Sequence, residues 1–340
     1  MVSASDHPAT DGASSADHYL RALTERGQFS GSVAIARAGR TLLSQGYGLC
    51  NVEQGTRNTP QTRFQIGSIT KSFTALALLL LQEQGRLQPS DALALHLPDC
   101  PPDWRAVTID QLLTHTSGIP DLPFWLSGFD PGGPGPITPA YLRDLYADRP
   151  LEAAPGARFR YSNWGYMLLG ALIEHLAGLP YATFLRGHIF EPLGMTGSGY
   201  TDRRAVLPQR AASYTVADGA LRNASFLDLE DSYAAGALYS TTEDLLLWDR
   251  ALDGAQLASQ ATLAAMFTPH VAVGDGSCYG YGWHIAERQG RRAVYHGGRI
   301  DGFRVLIERY PDEQLCIVVL SNLEPVEPAP IAQELVALID

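Results

Sequence analysis

Lysine is all but missing from this chain. Of 25 basic residues every one but Lys71 is arginine, and Lys71 sits in the stretch FQIGSITKSF at 64–73. Basic character is scarce overall, with 36 acidic residues giving a net charge of −11, which argues against nucleic acid or an anionic membrane surface as the main partner. Only four cysteines occur, Cys50, Cys100, Cys278 and Cys316, with no CxxC pair and no histidine at ligand spacing. The pattern predicts buried free thiols rather than disulfides, and no metal site. The longest apolar run, ALALLLL at 75–81, is far too short to cross a bilayer. The first residues, MVSASDHPATDGASSADHYL, have neither a basic start nor an apolar core, so a cytoplasmic location is expected. There is no G-x-S-x-G elbow, no G-x-G-x-x-G after a strand, no G-x-x-x-x-G-K-[ST] and no H-E-x-x-H. Those gaps remove the support for α/β-hydrolase, nucleotide and zinc chemistry, and no cofactor is implied.

What is present fits a globular protein. Hydrophobic residues make up 45% and charged residues 18%, enough for a substantial core in one large domain or two lobes. Residues 1–16 read as a flexible tail, followed by a helix in DHYLRALTERGQ. SGSVAIARAGRTLLSQGYGL gives two strands turning at Ala38-Gly39-Arg40. In the next segment Phe73, Leu76, Leu80 and Leu81 follow helical spacing and Gly85 marks the helix end. From about 90 to 255 the pattern is mostly helical, with TIDQLLTHTSG, TPAYLRDLYA, SNWGYMLLGALIEHLAG and TTEDLLLWDRAL as helices. Strands return in CYGYGWHIAER, RRAVYHGG, FRVLIERYP and LCIVVLSN, and PAPIAQELVALID closes the chain as a helix. The expected fold is therefore α+β: one antiparallel sheet built from both chain ends, flanked by helices, with an inserted mostly helical lobe. The α/β lobe would cover about 17–90 and 256–340, and the helical lobe about 91–255.

The solitary lysine has a chemical reading. Arginine stays charged at any pH a protein meets, whereas a lysine can become a proton acceptor if its pKa falls. Bringing it from about 10.4 to near 7 means disfavouring the charged form by roughly 4 kcal/mol. Ser68 lies three residues earlier, at the expected helix N-terminus, so the two side chains share one helical face. Taken singly, each such residue has a bland role: a serine at a helix start is usually a cap, and a lysine there is usually solvated. Two further stretches join them. PGARFRYSNWGYMLLG puts Tyr161, Ser162 and Asn163 just before a helix, and VYHGGRIDGF puts His296, Gly297 and Gly298 at the end of an edge strand. A Ser–His–Asp triad using His115 or His296 with Asp301 is the competing arrangement, and it leaves Lys71 without a purpose.

Ser-x-x-Lys, Tyr-x-Asn, and a basic residue followed by a small one and Gly, in that order, resemble the signature of the penicillin-recognising serine hydrolases. That family holds class C β-lactamases, D-alanyl-D-alanine peptidases and related esterases. The resemblance covers about residues 18 to 340 and extends to LLTHTSGIP, FEPLGM, AAGALYSTTEDLLLW and YGYGWHI. It implies an acyl-enzyme at Ser68, with Lys71 or a Tyr161 phenolate taking the serine proton and Tyr161 passing a proton to the leaving group. It further implies that Asn163 orients Lys71 or the substrate, and that the oxyanion hole lies at the backbone N–H groups of Ser68 and Arg299. Gly297 and Gly298 would let a peptide-like substrate approach the strand.

His296-Gly297-Gly298 stands where β-lactamases usually carry Lys-Thr-Gly, and Gly297 lacks the hydroxyl that would help to hold a substrate carboxylate. Arg299 is the available compensating cation. Together with the expected cytoplasmic location this favours a carboxylesterase or acyltransferase on small to medium acyl substrates. D-Ala-D-Ala carboxypeptidase, D-aminopeptidase, β-lactamase and an acylated ligand sensor without turnover are the alternatives. Phe124, Trp125 and Phe129, in the Pro/Gly-rich loop 123–139, are expected to line an acyl pocket. The expected partner is a small-molecule or peptide-like acyl substrate. No oligomeric state follows from the sequence.

Overall fold

The computed structural model describes residues 8–121, 144, 149–202, 204–225 and 232–340. The segment 138–147 apart from Asp144, and the aromatics Phe124, Trp125 and Phe129, lie outside the described residues.

Eight antiparallel strands form the main sheet: β1 (Gly31–Arg37), β2 (Arg40–Tyr47), β3 (Val271–Ala272), β4 (Cys278–Tyr279), β5 (His284–Arg288), β6 (Arg291–Ile300), β7 (Phe303–Tyr310) and β8 (Leu315–Ser321). Their order is β3-β4-β5-β6-β7-β8-β1-β2, so strands from the two chain ends meet where Gly31 pairs with Ser321 and Arg37 with Leu315. The β1–β2 hairpin closes through Ala38 at φ 50° and Gly39 at φ 74°. Two successive left-handed residues are what a tight hairpin needs to match strand twist.

Both faces of this sheet are covered, and β8 is buried at every position. Alternate side chains therefore enter two different cores. Ala34, Val305, Ile307, Val318 and Leu320 face the helical segment, whereas Val33, Ile35, Leu306, Ile317 and Val319 face the terminal helices α1 (Pro8–Glu25) and, last in the chain, Pro328–Ile339.

Helix α1 takes in the described part of the expected tail of residues 1–16. The helix continues because Ala16 and Leu20 are fully buried with Leu335 and Val336 of the terminal helix. Where the two helices cross, a Cβ on Gly12 would stand 3.0 Å from the Ile339 Cα, so a small residue is needed there.

Helix α2 (Thr70–Glu83) departs from amphipathic expectation, since every residue from Thr70 to Leu81 is buried. A helix apolar on all sides belongs in the middle of a structure. This one packs against α3 (Asn163–Ala177), and Phe73 stacks on Trp248 at 4.1 Å between ring centres. Gly85, at φ 69°, follows its end.

Trp248 belongs to α4 (Thr242–Asp253), which packs on β1 and β8, while Arg309 of β7 donates to Asp253 Oδ1 at 2.6 Å. That helix therefore lies on the sheet. The chain closes with α5 (Pro328–Ile339). Among the described residues no single helix is long and apolar enough to cross a membrane.

Candidate active site

Ser68 occupies a 3-10 turn, Gly67–Ile69, that leads directly into α2. The preceding short strand Phe64–Gln65 is held by Leu238–Ser240, and the Ile66 N–H donates to the Leu238 carbonyl at 3.0 Å. Gly67 adopts φ 49°, and an added Cβ would meet Ile300 Cγ1 at 3.1 Å. Only glycine takes that conformation in that space without strain. The turn is thereby laid against β6 with Ser68 half-buried and open to a cavity.

Gly298 completes this docking. A Cβ there would lie 2.2 Å from the Ile66 carbonyl oxygen, whereas one on Gly297 would touch only the Val305 carbonyl, at 3.4 Å. The motif alone suggests that both glycines serve substrate approach. Both glycines line the cavity, but Gly298 also accommodates the protein's own serine turn, and only Gly297 has room for a Cβ.

The expectation of an edge strand also changes. β6 is interior, between β5 and β7. Its pairing with β5 stops at His284–Tyr295, while its pairing with β7 continues to Ile300–Phe303. Residues 296–300 therefore form a local open edge beside Ser68.

Lys71, one helical turn beyond the serine, is fully buried. Its Nζ donates to Ser68 Oγ at 3.1 Å, Asn163 Oδ1 at 2.8 Å and the Ala235 carbonyl at 2.9 Å. Burial drives its pKa down to about 7, against the opposing pull of the Asp121 carboxylate. Tyr161 lies alongside, with Nζ 4.7 Å from its ring centre. Burial pushes the phenol pKa upward, opposed by its hydrogen bond with Ser68, and the Asp121 charge adds to the rise. Near neutral pH the lysine can lose its proton while the phenol keeps its own.

Asn163 is the first residue of α3, whose cap is Ser162 accepting from the Gly165 N–H at 3.1 Å. Asp121 adds a carboxylate at the same helix end. Its Oδ1 accepts from the N–H groups of Asn163 at 2.7 Å and Trp164 at 3.2 Å, and its Oδ2 from Asn163 Nδ2 at 3.4 Å. With Nδ2 directed at Asp121, Oδ1 is left to face Lys71. Negative charge is favoured at a helix N-terminus. Sequence reasoning misses Asp121, which is 42 residues from its partner and belongs to no local motif. The Ala235 carbonyl is equally hidden, since every residue has one.

His296 is buried and uses both ring nitrogens away from the serine. Nδ1 lies 2.7 Å from the Gly297 carbonyl, which can only accept, so Nε2 accepts from the Tyr279 hydroxyl at 3.1 Å. Burial, His284 and Lys71 all lower its pKa well below 6.5, so it brings no cation to the site. His115 is engaged too, through Nδ1 accepting from the Ser162 N–H. Neither histidine thus makes the competing triad. Arg299 points outward to Glu327 at 2.9 Å, with both side chains largely exposed. Arg288 is paired with Glu308 at 2.7 Å and Arg304 with Glu324 at 3.0 Å.

Two cavities meet at the serine. One of about 380 Å³ runs past His284, Tyr295, Gly297 and Glu327. The other, about 270 Å³, is bounded by Asn163, Ser232, Gly236 and Ile300. Ser68, Tyr161 and Arg299 border both, so a reacting bond at Ser68 has space for a substituent on either side. Among the described residues no three His, Cys, Asp or Glu side chains are grouped to hold a metal ion, and the four cysteines are free.

A comparison of the whole chain with protein families matches residues 16–340 to the family described as Beta-lactamase. The chain belongs to the β-lactamase family of serine hydrolases. Among its relatives, penicillin-binding protein 4* of Bacillus subtilis (strain 168) is 30% identical over 320 residues, which are 89% of this chain and 70% of that protein. Among solved structures, the octameric penicillin-binding protein homologue from Pyrococcus abyssi matches with a TM-score of 0.83 at 30% identity, covering 96% of this chain and 77% of that one. The penicillin-binding protein from Bacillus halodurans matches with a TM-score of 0.81 at 27% identity, covering 94% and 99%.

Proposed function

We propose that this β-lactamase-family hydrolase cleaves small to medium carboxylic esters, as a carboxylesterase or an acyltransferase, through an acyl-enzyme at Ser68. The observation that carries the reading is a buried amine with a pKa near 7, placed 3.1 Å from the serine oxygen. At pH 7 roughly half of such amines are neutral. Neutral Lys71 takes the Ser68 proton as Oγ bonds to the ester carbonyl carbon. The carbonyl oxygen, now negative, is held by the backbone N–H groups of Ser68 and Arg299. When the C–O bond to the alcohol breaks, Tyr161 gives its proton to the departing oxygen and regains one from Lys71. Water, or an acceptor alcohol in the transferase case, then loses a proton along the same path in reverse and releases the acid or the new ester.

The engagement of Arg288, Arg299 and Arg304 with glutamates supports neutral substrates over ones ending in a carboxylate. A second reading, hydrolysis of a D-peptide or amide, draws on the open edge at 296–300, which offers main-chain groups to an extended substrate. The deciding experiment follows p-nitrophenol release from p-nitrophenyl acetate and butyrate, from milliseconds to minutes, for wild type and Ser68→Ala. Steady turnover lost in Ser68→Ala supports the hydrolase. Added alcohol that speeds release and yields a new ester identifies the transferase. A peptide amide turned over with higher kcat/KM than either ester would favour the second reading. Release unaffected by Ser68→Ala would overturn both.

A further inference from the structure

His115 holds three positions around Tyr161 at once. Its carbonyl accepts from the Arg160 N–H at 2.8 Å, and its Nδ1 accepts from the Ser162 N–H at 3.1 Å. Its ring lies against the Tyr161 ring, 4.3 Å between centres at 32°. The backbone on both sides of Tyr161 and the face of its phenol are thus fixed by one residue.

This arrangement is kept despite two features that the fold would ordinarily avoid. His115 has φ 58°, in the left-handed region that only a few per cent of non-glycine residues occupy. Because Nδ1 accepts, the ring proton resides on Nε2, and that nitrogen is buried with no hydrogen-bond partner. Around it stand the rings of Phe159, Tyr166 and Tyr279, with centres 5.7, 4.9 and 4.8 Å away. Tyr166 is itself anchored through its hydroxyl to the Leu113 carbonyl at 2.8 Å. Strain and an unpartnered donor at one residue beside a reacting group are the marks of a position held for function.

We infer that His115 is the positioning residue for Tyr161: its neutral, Nε2-protonated ring sets the height and tilt of the phenol over Ser68. This rests on the proposed role of Tyr161 as proton carrier. His115 touches neither substrate nor serine and acts only through the tyrosine. A phenol displaced by an ångström loses about two orders of magnitude in rate with binding little changed.

The test is a double-mutant cycle on p-nitrophenyl butyrate with His115→Ala and Tyr161→Phe, read as kcat and KM. His115→Ala should lower kcat about 30- to 100-fold with KM within about threefold. In the Tyr161→Phe background the same change should cost less than about threefold. His115→Asn should recover only part of kcat, because its amide oxygen can accept from the Ser162 N–H while the ring contact with Tyr161 stays lost. If His115→Ala does not fold, His115→Gly takes its place in the cycle, since glycine keeps the backbone conformation unstrained.

Equal losses from His115→Ala in both backgrounds, or an effect on KM alone, would overturn the positioning role and leave the Tyr161 reading standing. Full activity in Tyr161→Phe would overturn both. The two failures are therefore distinguishable.

Discussion

The side-chain amide of Asn163 connects two opposite charges: Lys71 donates to its Oδ1 at 2.8 Å, and its Nδ2 donates to Asp121 at 3.4 Å. A proton on Lys71 is therefore sensed through a polarised amide by a carboxylate at the start of α3. Burial lowers the lysine's pKa and the Asp121 charge raises it.

The pH dependence follows with a definite sign. In the proposed mechanism Lys71 must be neutral to accept the serine proton, so kcat/KM should rise with pH through about 7 and fall about tenfold per unit well below it. Lys71→Arg keeps a cation that never deprotonates and should lose about 10²–10⁴ in acylation rate. Steady-state rates between pH 5 and 9 would check both, and a flat profile would remove Lys71 as the base. The same shift has a thermodynamic face. Between about 7 and 10.5 the unfolded chain holds a proton that the folded one does not, so this group makes the fold more stable as pH rises across that window.

Replacing Asp121 by Asn removes the charge that favours protonated Lys71. The acid limb of the rate profile should then move to lower pH, while loss of the carboxylate at the α3 N-terminus costs about 0.5–2 kcal/mol of stability. Thermal melts and the profile report these separately. An acid limb that stays in place would mean the carboxylate is not felt at the lysine.

The two glycines of the His-Gly-Gly stretch should behave differently. Gly298→Ala drives a methyl to 2.2 Å from the Ile66 carbonyl and must displace the turn that carries Ser68, so a lower melting temperature and a large fall in kcat are expected. Gly297→Ala meets only ordinary contact, at 3.4 Å, and its melting temperature should remain close to wild type. Its effect should fall on KM, since the added methyl projects beside the substrate cavity. Equal melting temperatures for the two variants would contradict the packing described for Gly298.

Much of the fold is legible in short stretches of sequence. The hairpin at Ala38-Gly39, the stop at Gly85 and the late run of strands follow from local sterics and periodicity, which a sequence carries explicitly. Ser68 and Lys71 are legible for a similar reason: three residues on a helix put two side chains on one face wherever the helix lies. Tyr161 and Asn163 emerge through their order along the chain rather than through any local signal.

Local rules do not reach the relations across the chain. Helix α1 extends back into the expected tail because α5 covers it, and α2 is buried on every side because other helices close around it. β6 exposes an edge only where β5 happens to end. Asp121 and His115 take their roles from neighbours more than forty residues away, and Gly298 takes its role from a carbonyl on another element.

Covalent spacing and backbone sterics act over a few residues. The order of amino acids is therefore enough to say which chemical groups this protein owns and which of them share one helical turn. The protonation of Lys71, the neutrality of His296 and the outward turn of Arg299 come from the folded chain instead. Desolvation, ion pairing and hydrogen bonding depend on which distant groups the fold brings within a few ångströms.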